Sequence, residues 1–201
     1  ADGEDPPDSA TISYWLGAAI TGDVTIRIDD SMGQTVRTLD GTKDAGINRI
    51  WWNFQGEVRT EIKLRTKPLY ADWYTMPDQG WRPGGGGGFF GQSGMTYPPG
   101  AYSVTLVVDG EDVGNETLTV LKDPNSVGTL ADIRAQFALL QEIRVDQEGA
   151  AATVNQIELI RRQLYDLKTI VTETGEADEI LTAADELDAK LIEVESKLTQ
   201  L

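Results

Sequence analysis

The sequence predicts a segregated α+β protein: an antiparallel β-sandwich over residues 10–122, then an antiparallel α-helical hairpin over 129–201. Two observations carry this reading. Through the first half, apolar residues alternate with a period of two between Asp-Gly turns. Through the second half they recur every three or four residues, the period of an amphipathic helix.

The chain opens with ADGEDPPDS, an acidic, proline-bearing stretch that reads as a linker over residues 1–9. We take the chain as an excised piece of a polypeptide that continues toward the N-terminus. Ile12, Tyr14 and Leu16 then alternate with Thr11, Ser13 and Trp15. Val24, Ile26 and Ile28 alternate with Thr25, Arg27 and Asp29. The turn DDSMG leads into QTVRTL, which Asp40-Gly41 ends. In GINRIWWNF, Ile50, Trp52 and Phe54 share one face, and Arg49, Trp51 and Asn53 the other. AYSVTLVVDG places Tyr102, Val104, Leu106 and Val108 on one parity, turns at Asp109-Gly110, and returns through Leu118 and Val120. Short strands and regular turns suit an immunoglobulin- or fibronectin-like topology.

Asp123-Pro124-Asn125 stops the last strand. Thr129 is placed to cap a helix, with Asp132 in its first turn. The stripe Leu130, Ile133, Phe137, Leu140, Ile143 continues as Val154, Ile157, Ile160, Leu164, Leu167, Val171, giving a long helix over about 130–173. Gly175 is a reasonable stop. A second helix over about 177–201 carries Ile180, Ala184, Leu187, Leu191, Val194, Leu198 and Leu201, a heptad coiled-coil seam that needs a partner. Folded back, the second helix would pair with Val154–Val171 and leave Leu130–Ile143 to dock on the sandwich. The alternatives are a three-helix bundle, with a break at Asp146–Gly149, and an intermolecular coiled coil.

Residues 55–98 interrupt the sandwich as a long aromatic and glycine-rich excursion. Its aromatic content requires that part of it pack. The run RPGGGGGFF, residues 82–90, lacks the following helix and Lys-Ser/Thr of a phosphate cradle. It reads as a flexible strap between aromatic anchors.

Composition narrows the chemistry. With 33 acidic against 17 basic side chains, a net charge of −16 disfavours nucleic acid and anionic lipid. No apolar run approaches the ~20 residues of a membrane span. The chain has no cysteine and no histidine, so thiolate and His-based nucleophile systems have no residues to use. Asp29-Asp30 and Asp109–Asp112 lack the spacing of a calcium loop and suit hairpin turns. We assign no catalytic residue, metal ligand or cofactor. The candidate ligand or interface residues are Trp51, Trp73, Tyr74 and Trp81, whose rings can stack on sugars or anchor a partner. The structural expectation for the same side chains is burial under the excursion.

The segments DSATISYWL, VTIRIDDSMGQTVRTL, AGINRIWWNF, LRTKPLYA, PPGAYSVTLVVDG, LTVLKDP and VNQIELIRRQL occur in this order. Together they resemble the C-terminal region of secreted bacterial proteins with Asp-box (BNR) or sortilin-like β-propellers, often labelled glycosyl hydrolase. The β part is also similar to the immunoglobulin-like domain of the flagellar hook-capping protein. The resemblance implies an exported parent, periplasmic or extracellular, whose propellers precede this region and are its partners. It also implies a non-catalytic accessory module that packs against or spaces them. A carbohydrate-binding module is the alternative, and a carboxylate-based glycosidase domain a third reading.

Overall fold

The computed structural model describes residues 9–71, 73–84, 94–174 and 178–198. Eight strands precede two helices among them. The strands are β1 (Ala10–Leu16), β2 (Val24–Asp29), β3 (Thr35–Asp40), β4 (Gly46–Trp52), β5 (Lys63–Leu64), β6 (Arg82–Pro83), β7 (Gly100–Val108) and β8 (Glu111–Val120). The helices are α1 (Leu130–Thr174) and α2 (Asp178–Leu198). The chain divides into two units, residues 1–58 with 93–141 and residues 59–92 with 142–201.

In the first unit, β1 pairs antiparallel with β4, Ile12 opposite Ile50. A second antiparallel sheet runs in the order β3-β2-β7-β8. Val24, Ile26 and Ile28 of β2 are buried while the intervening residues are half-buried, as alternation on a central strand requires. The turn after β2 is held by Asp30, whose carboxylate accepts the Met32 and Gln34 amides at 2.8 and 2.9 Å. Asp109 and Gly110 join β7 to β8 with φ of 51° and 86°. Positive φ at both positions is the tight hairpin geometry that Asp-Gly favours.

Both sheets feed one hydrophobic cluster: Ile26, Ile28, Val36 and Tyr102 from one, Ile50 and Trp52 from the other. Trp52 meets Phe54 and Tyr102 edge-on at 5.4 and 5.0 Å between centroids. Its indole N–H donates to the Gln55 carbonyl at 2.9 Å. The Tyr102 hydroxyl donates to the Pro98 carbonyl, and burial raises its pKa to about 12.

Thr129 and Asp132 begin α1 reciprocally. The Asp132 amide donates to Thr129 Oγ1 at 3.1 Å, and Asp132 Oδ2 accepts the Thr129 amide at 2.9 Å. The hydrogen bonds from Thr129 hold the Asp132 carboxyl below its ordinary pKa. Phe137 packs edge-on to Tyr97 at 4.9 Å, so the first stripe does meet the β part. Contact is partial, since Leu130 and Leu140 stay exposed.

The three-helix alternative is overturned. α1 continues through Gly149 without a break, as expected where one glycine interrupts otherwise good helix formers. In the second unit, Lys168 of α1 reaches Asp185 of α2 at 2.7 Å, and Arg161 reaches Asp188 at 2.9 Å and Glu195 at 2.8 Å. The partners move forward along α2 as they move back along α1, so the two run antiparallel. The expected stop at Gly175, the strap at 85–90 and the linker up to residue 8 lie outside the described residues.

Candidate functional site

The expected helix seam is kept at some positions and displaced by one residue at others. On α2 the covered positions are Leu181, Ala184, Asp188, Leu191, Ile192 and Glu195; Ala184 and Leu191 are inside as expected, while Ile180, Leu187 and Val194 are exposed. From Ala151 on, the covered positions of α1 are Ala151, Val154, Asn155, Ile157, Glu158, Ile160, Arg161, Leu164, Lys168 and Val171, so Arg161 joins Ile160 on the inward side and Lys168 stands in place of the exposed Leu167. A one-residue step turns a helix by about 100°. At the displaced positions it sets Arg161, Lys168, Asp188 and Glu195 among the aliphatic side chains of the seam.

Arg161 is the centre of that charge. Its Nε donates to Asp188 at 2.9 Å, and its Nη1 donates to Glu158 at 2.9 Å and to Glu195 at 2.8 Å. Glu158 and Glu195 are both 0% exposed and Arg161 is 6% exposed. Burial works against the guanidinium charge. Hydrogen bonding to Asp188 and the charges of Glu158, Asp188 and Glu195 outweigh it, so the Arg161 pKa is raised. Glu195 is pushed up to about 7, first by burial and then by the neighbouring Glu158 charge, against the pull of Arg161. Its Oε1 accepts no hydrogen bond. A proton on Glu195 would let it donate to Glu158 instead.

The excursion closes over this cluster. β5 and β6 form a short antiparallel pair, with Leu64 buried and Lys63 Nζ 4.9 Å above the Trp81 ring. Glu158 accepts the Arg65 amide, the Thr66 amide at 2.7 Å and the Thr66 hydroxyl at 2.7 Å. One turn earlier, Asn155 Oδ1 accepts the Lys63 amide at 2.7 Å, and its Nδ2 donates to the Glu61 carbonyl at 2.9 Å. Glu148 accepts the Thr60 amide at 3.1 Å, and hydrogen bonding to Thr60 depresses its pKa. Side chains of α1 thus satisfy backbone groups of a segment whose own strand pairing is only two residues long. Glu158 points inward, away from its i+4 neighbour Arg162. Arg162 pairs with Asp166 at 3.1 Å.

A cavity of about 290 Å³ shares Arg161 and Asp188 with this cluster. Arg65, Lys67, Arg162 and Lys168 also line it.

The four aromatic candidates are placed differently. Trp51 is 52% exposed on β4 and belongs to the first unit. Trp73, Tyr74 and Trp81 belong to the second unit. Trp73 is 83% exposed, and its ring lies 6.5 Å from that of Tyr74 with 59° between planes, so the two form no flat platform. Trp81 is half-buried beneath Lys63. Sequence reasoning missed Arg65, Asn155, Glu158, Arg161 and Glu195. Their one visible signal was a polar residue beside each seam position, which periodicity alone assigns to solvent. Among the described residues, no group of three or more His, Cys, Asp or Glu is placed to hold a metal ion, and no helix is long and apolar enough to cross a membrane. Comparison with protein-family models, curated proteins and solved structures found no match.

Proposed function

We propose that the chain is a non-catalytic interaction module of a larger exported polypeptide, docking onto or spacing its neighbouring propeller domains. The observation that carries this reading is the row Ile180, Leu187 and Val194 along α2, at 48%, 43% and 46% exposure. Aliphatic residues at heptad spacing beside a filled seam suit a partner surface better than water. In the same reading the β part is an immunoglobulin-like sandwich, a view supported by the single cluster shared by its two sheets. The test is binding in trans between this chain and the remainder of its parent polypeptide. Replacing Ile180, Leu187 and Val194 by Ser should abolish binding and leave helical content intact. Undiminished binding would refute the reading, and concentration-dependent dimerisation lost in the same variant would make the row a self-association surface.

A second reading, a carbohydrate-binding module, is favoured by the exposed rings of Trp51 and Trp73. A glycan array checks it: a saturable signal lost in Trp73→Ala or Trp51→Ala supports sugar stacking, and a blank array removes it.

A further inference from the structure

In a chain of net charge −16 with 17 basic side chains, five of those basic groups line one cavity: Arg65, Lys67, Arg161, Arg162 and Lys168. Three of them are engaged by carboxylates. Arg162 is held by Asp166 at 3.1 Å and Lys168 by Asp185 at 2.7 Å, both pairs at least partly open to solvent. Arg161 is held by Glu158, Asp188 and Glu195, but through Nε and Nη1 alone. Among the described residues its Nη2 has no acceptor, although the group is 6% exposed and borders the cavity. Arg65 stands apart. Its Nη1 donates to the Lys63 and Asn155 carbonyls at 3.1 and 3.4 Å, and among the described residues no carboxylate lies within ion-pair distance of it.

Two guanidinium groups therefore face one cavity with unused donors, and one of them has no counter-ion. Planar forks of this kind match the paired oxygens of a carboxylate or phosphate. The apolar part of the wall is Pro68, Leu69, Met76 and the ring of Tyr165; Thr66 and the Asp188 carboxylate, which Arg161 Nε already engages, complete the lining. At about 290 Å³ the space lies at the lower end for small-molecule sites. We propose that this cavity binds a small organic oxyanion, a carboxylate or phosphate group carried on an apolar body, with Arg65 and Arg161 holding the anionic group and Leu69, Met76 and Tyr165 holding the body. The exposed pairs Arg162–Asp166 and Lys168–Asp185 contribute little by themselves. Their cations are free to turn toward a ligand that supplies a better-desolvated charge.

The test is an NMR titration of the full chain, following the Met76 methyl group and the arginine Nε–H resonances. The probes are benzoate, phenyl phosphate, neutral benzyl alcohol and inorganic phosphate. Benzoate or phenyl phosphate should produce saturable shifts at Met76 together with an arginine resonance, and the tighter of the two identifies the anionic group. Benzyl alcohol should bind at least about tenfold more weakly, the loss expected for one charge-assisted hydrogen-bonded pair. Arg65→Gln keeps the backbone amide that serves Glu158 and should weaken the tighter probe by about tenfold. Leu69→Glu, which places a carboxylate in the apolar wall, should remove binding. Asp166→Asn with Asp185→Asn should strengthen it. The proposal fails if no probe shifts Met76 at millimolar concentration, or if benzyl alcohol binds as well as benzoate. It also fails if Arg65→Gln leaves affinity unchanged in a chain that retains its helical spectrum. Shifts from inorganic phosphate equal to those from phenyl phosphate would reduce the site to an adventitious ion only. Binding of a short acidic peptide where both aromatic anions fail would overturn the small-ligand assignment.

Discussion

Arg161 of α1 and Glu195 of α2 meet at 2.8 Å where the helix pair is most deeply buried. The contact sets the rotation of both helices. Turning either one by a residue would separate Arg161 from Glu195 and Asp188 across the pair. Desolvating ions is expensive, and their attraction offsets the cost only when geometry and hydrogen bonds are complete. The cluster is therefore a poor source of net stability and a strong source of register.

Arg161→Leu should be severely destabilising. It leaves Glu158 and Glu195 buried without their shared cation, a loss of about 3–5 kcal/mol for a broken buried pair. Glu195→Gln should be tolerated, because an amide can accept from Arg161 and donate to Glu158 without a second buried charge. Urea denaturation followed by helical circular dichroism distinguishes them. Equal losses for the two variants would show that Glu195 is needed as an anion.

The pH dependence follows from the same residue. Glu195 holds its proton up to about pH 7 when folded, against an ordinary value of 4.5. Between those values the folded chain binds more protons than the unfolded one, so stability falls as pH rises through the window. The contribution is complete below the unfolded value and lost above the folded one, with an upper limit of about 3 kcal/mol. Asp132 and Glu148, whose carboxyls are held low, act in the opposite sense at more acid pH. Their stabilisation is present above the unfolded carboxylate range and lost as pH falls through their folded values. Wild type should thus lose helical stability from pH 5 toward 8, and Glu195→Gln should not. A carboxyl-carbon NMR titration of Glu195 reads the cause directly, and an ordinary value there would refute it.

Much of the β part was legible because alternation, turn chemistry and burial agree. Trp51 and Trp52 fell on opposite faces as their parity requires, and Asp109-Gly110 turned the chain at the expected place. Thr129 and the unbroken α1 were equally readable, because caps and propensity are local. The helix seam was legible only in part: Val154, Ile157, Leu164, Ala184 and Leu191 are covered as expected, and the charged positions among them were not foreseen. Heptad counting puts aliphatic residues inside, and nothing in a single helix shows that Arg161 will be matched by carboxylates from α2 and by the amides of Arg65 and Thr66. The same holds for Asn155 and Glu148, whose partners lie about ninety residues away in sequence. Non-local polar pairing has no period to detect.

The displaced seam can be tested by one substitution on each side of it. Ala184 is buried against α1, while Leu187 is 43% exposed. Ala184→Asp places an unpaired carboxylate in a cluster already rich in them and should cost several kcal/mol, on the order of 3. Leu187→Asp should cost less than about 1 kcal/mol, as for an exposed helix position. The original heptad seam places both residues inside and would make both substitutions severely destabilising, so the melting temperature of Leu187→Asp decides between the registers.

Gln147, Glu148, Asn155 and Glu158 of α1 hold the excursion, and Asn155 is the one that bonds in both directions. It accepts the Lys63 amide and donates to the Glu61 carbonyl, completing the backbone of a segment whose own strand pairing is two residues long. Asn155→Leu keeps the volume roughly constant and leaves both backbone groups without a partner. Each buried group so stranded costs about 1–3 kcal/mol. The helix itself loses nothing, since Leu is the better helix former. Amide hydrogen exchange should therefore accelerate at Lys63 and its neighbours by at least about tenfold, while exchange in α1 and in β2 and β7 stays as it was. Asn155→Asp retains the acceptor and loses the donor, so protection at Lys63 should survive in that variant. Unchanged exchange at Lys63 in Asn155→Leu would mean that Leu64 and the contacts of Glu158 hold the excursion without it.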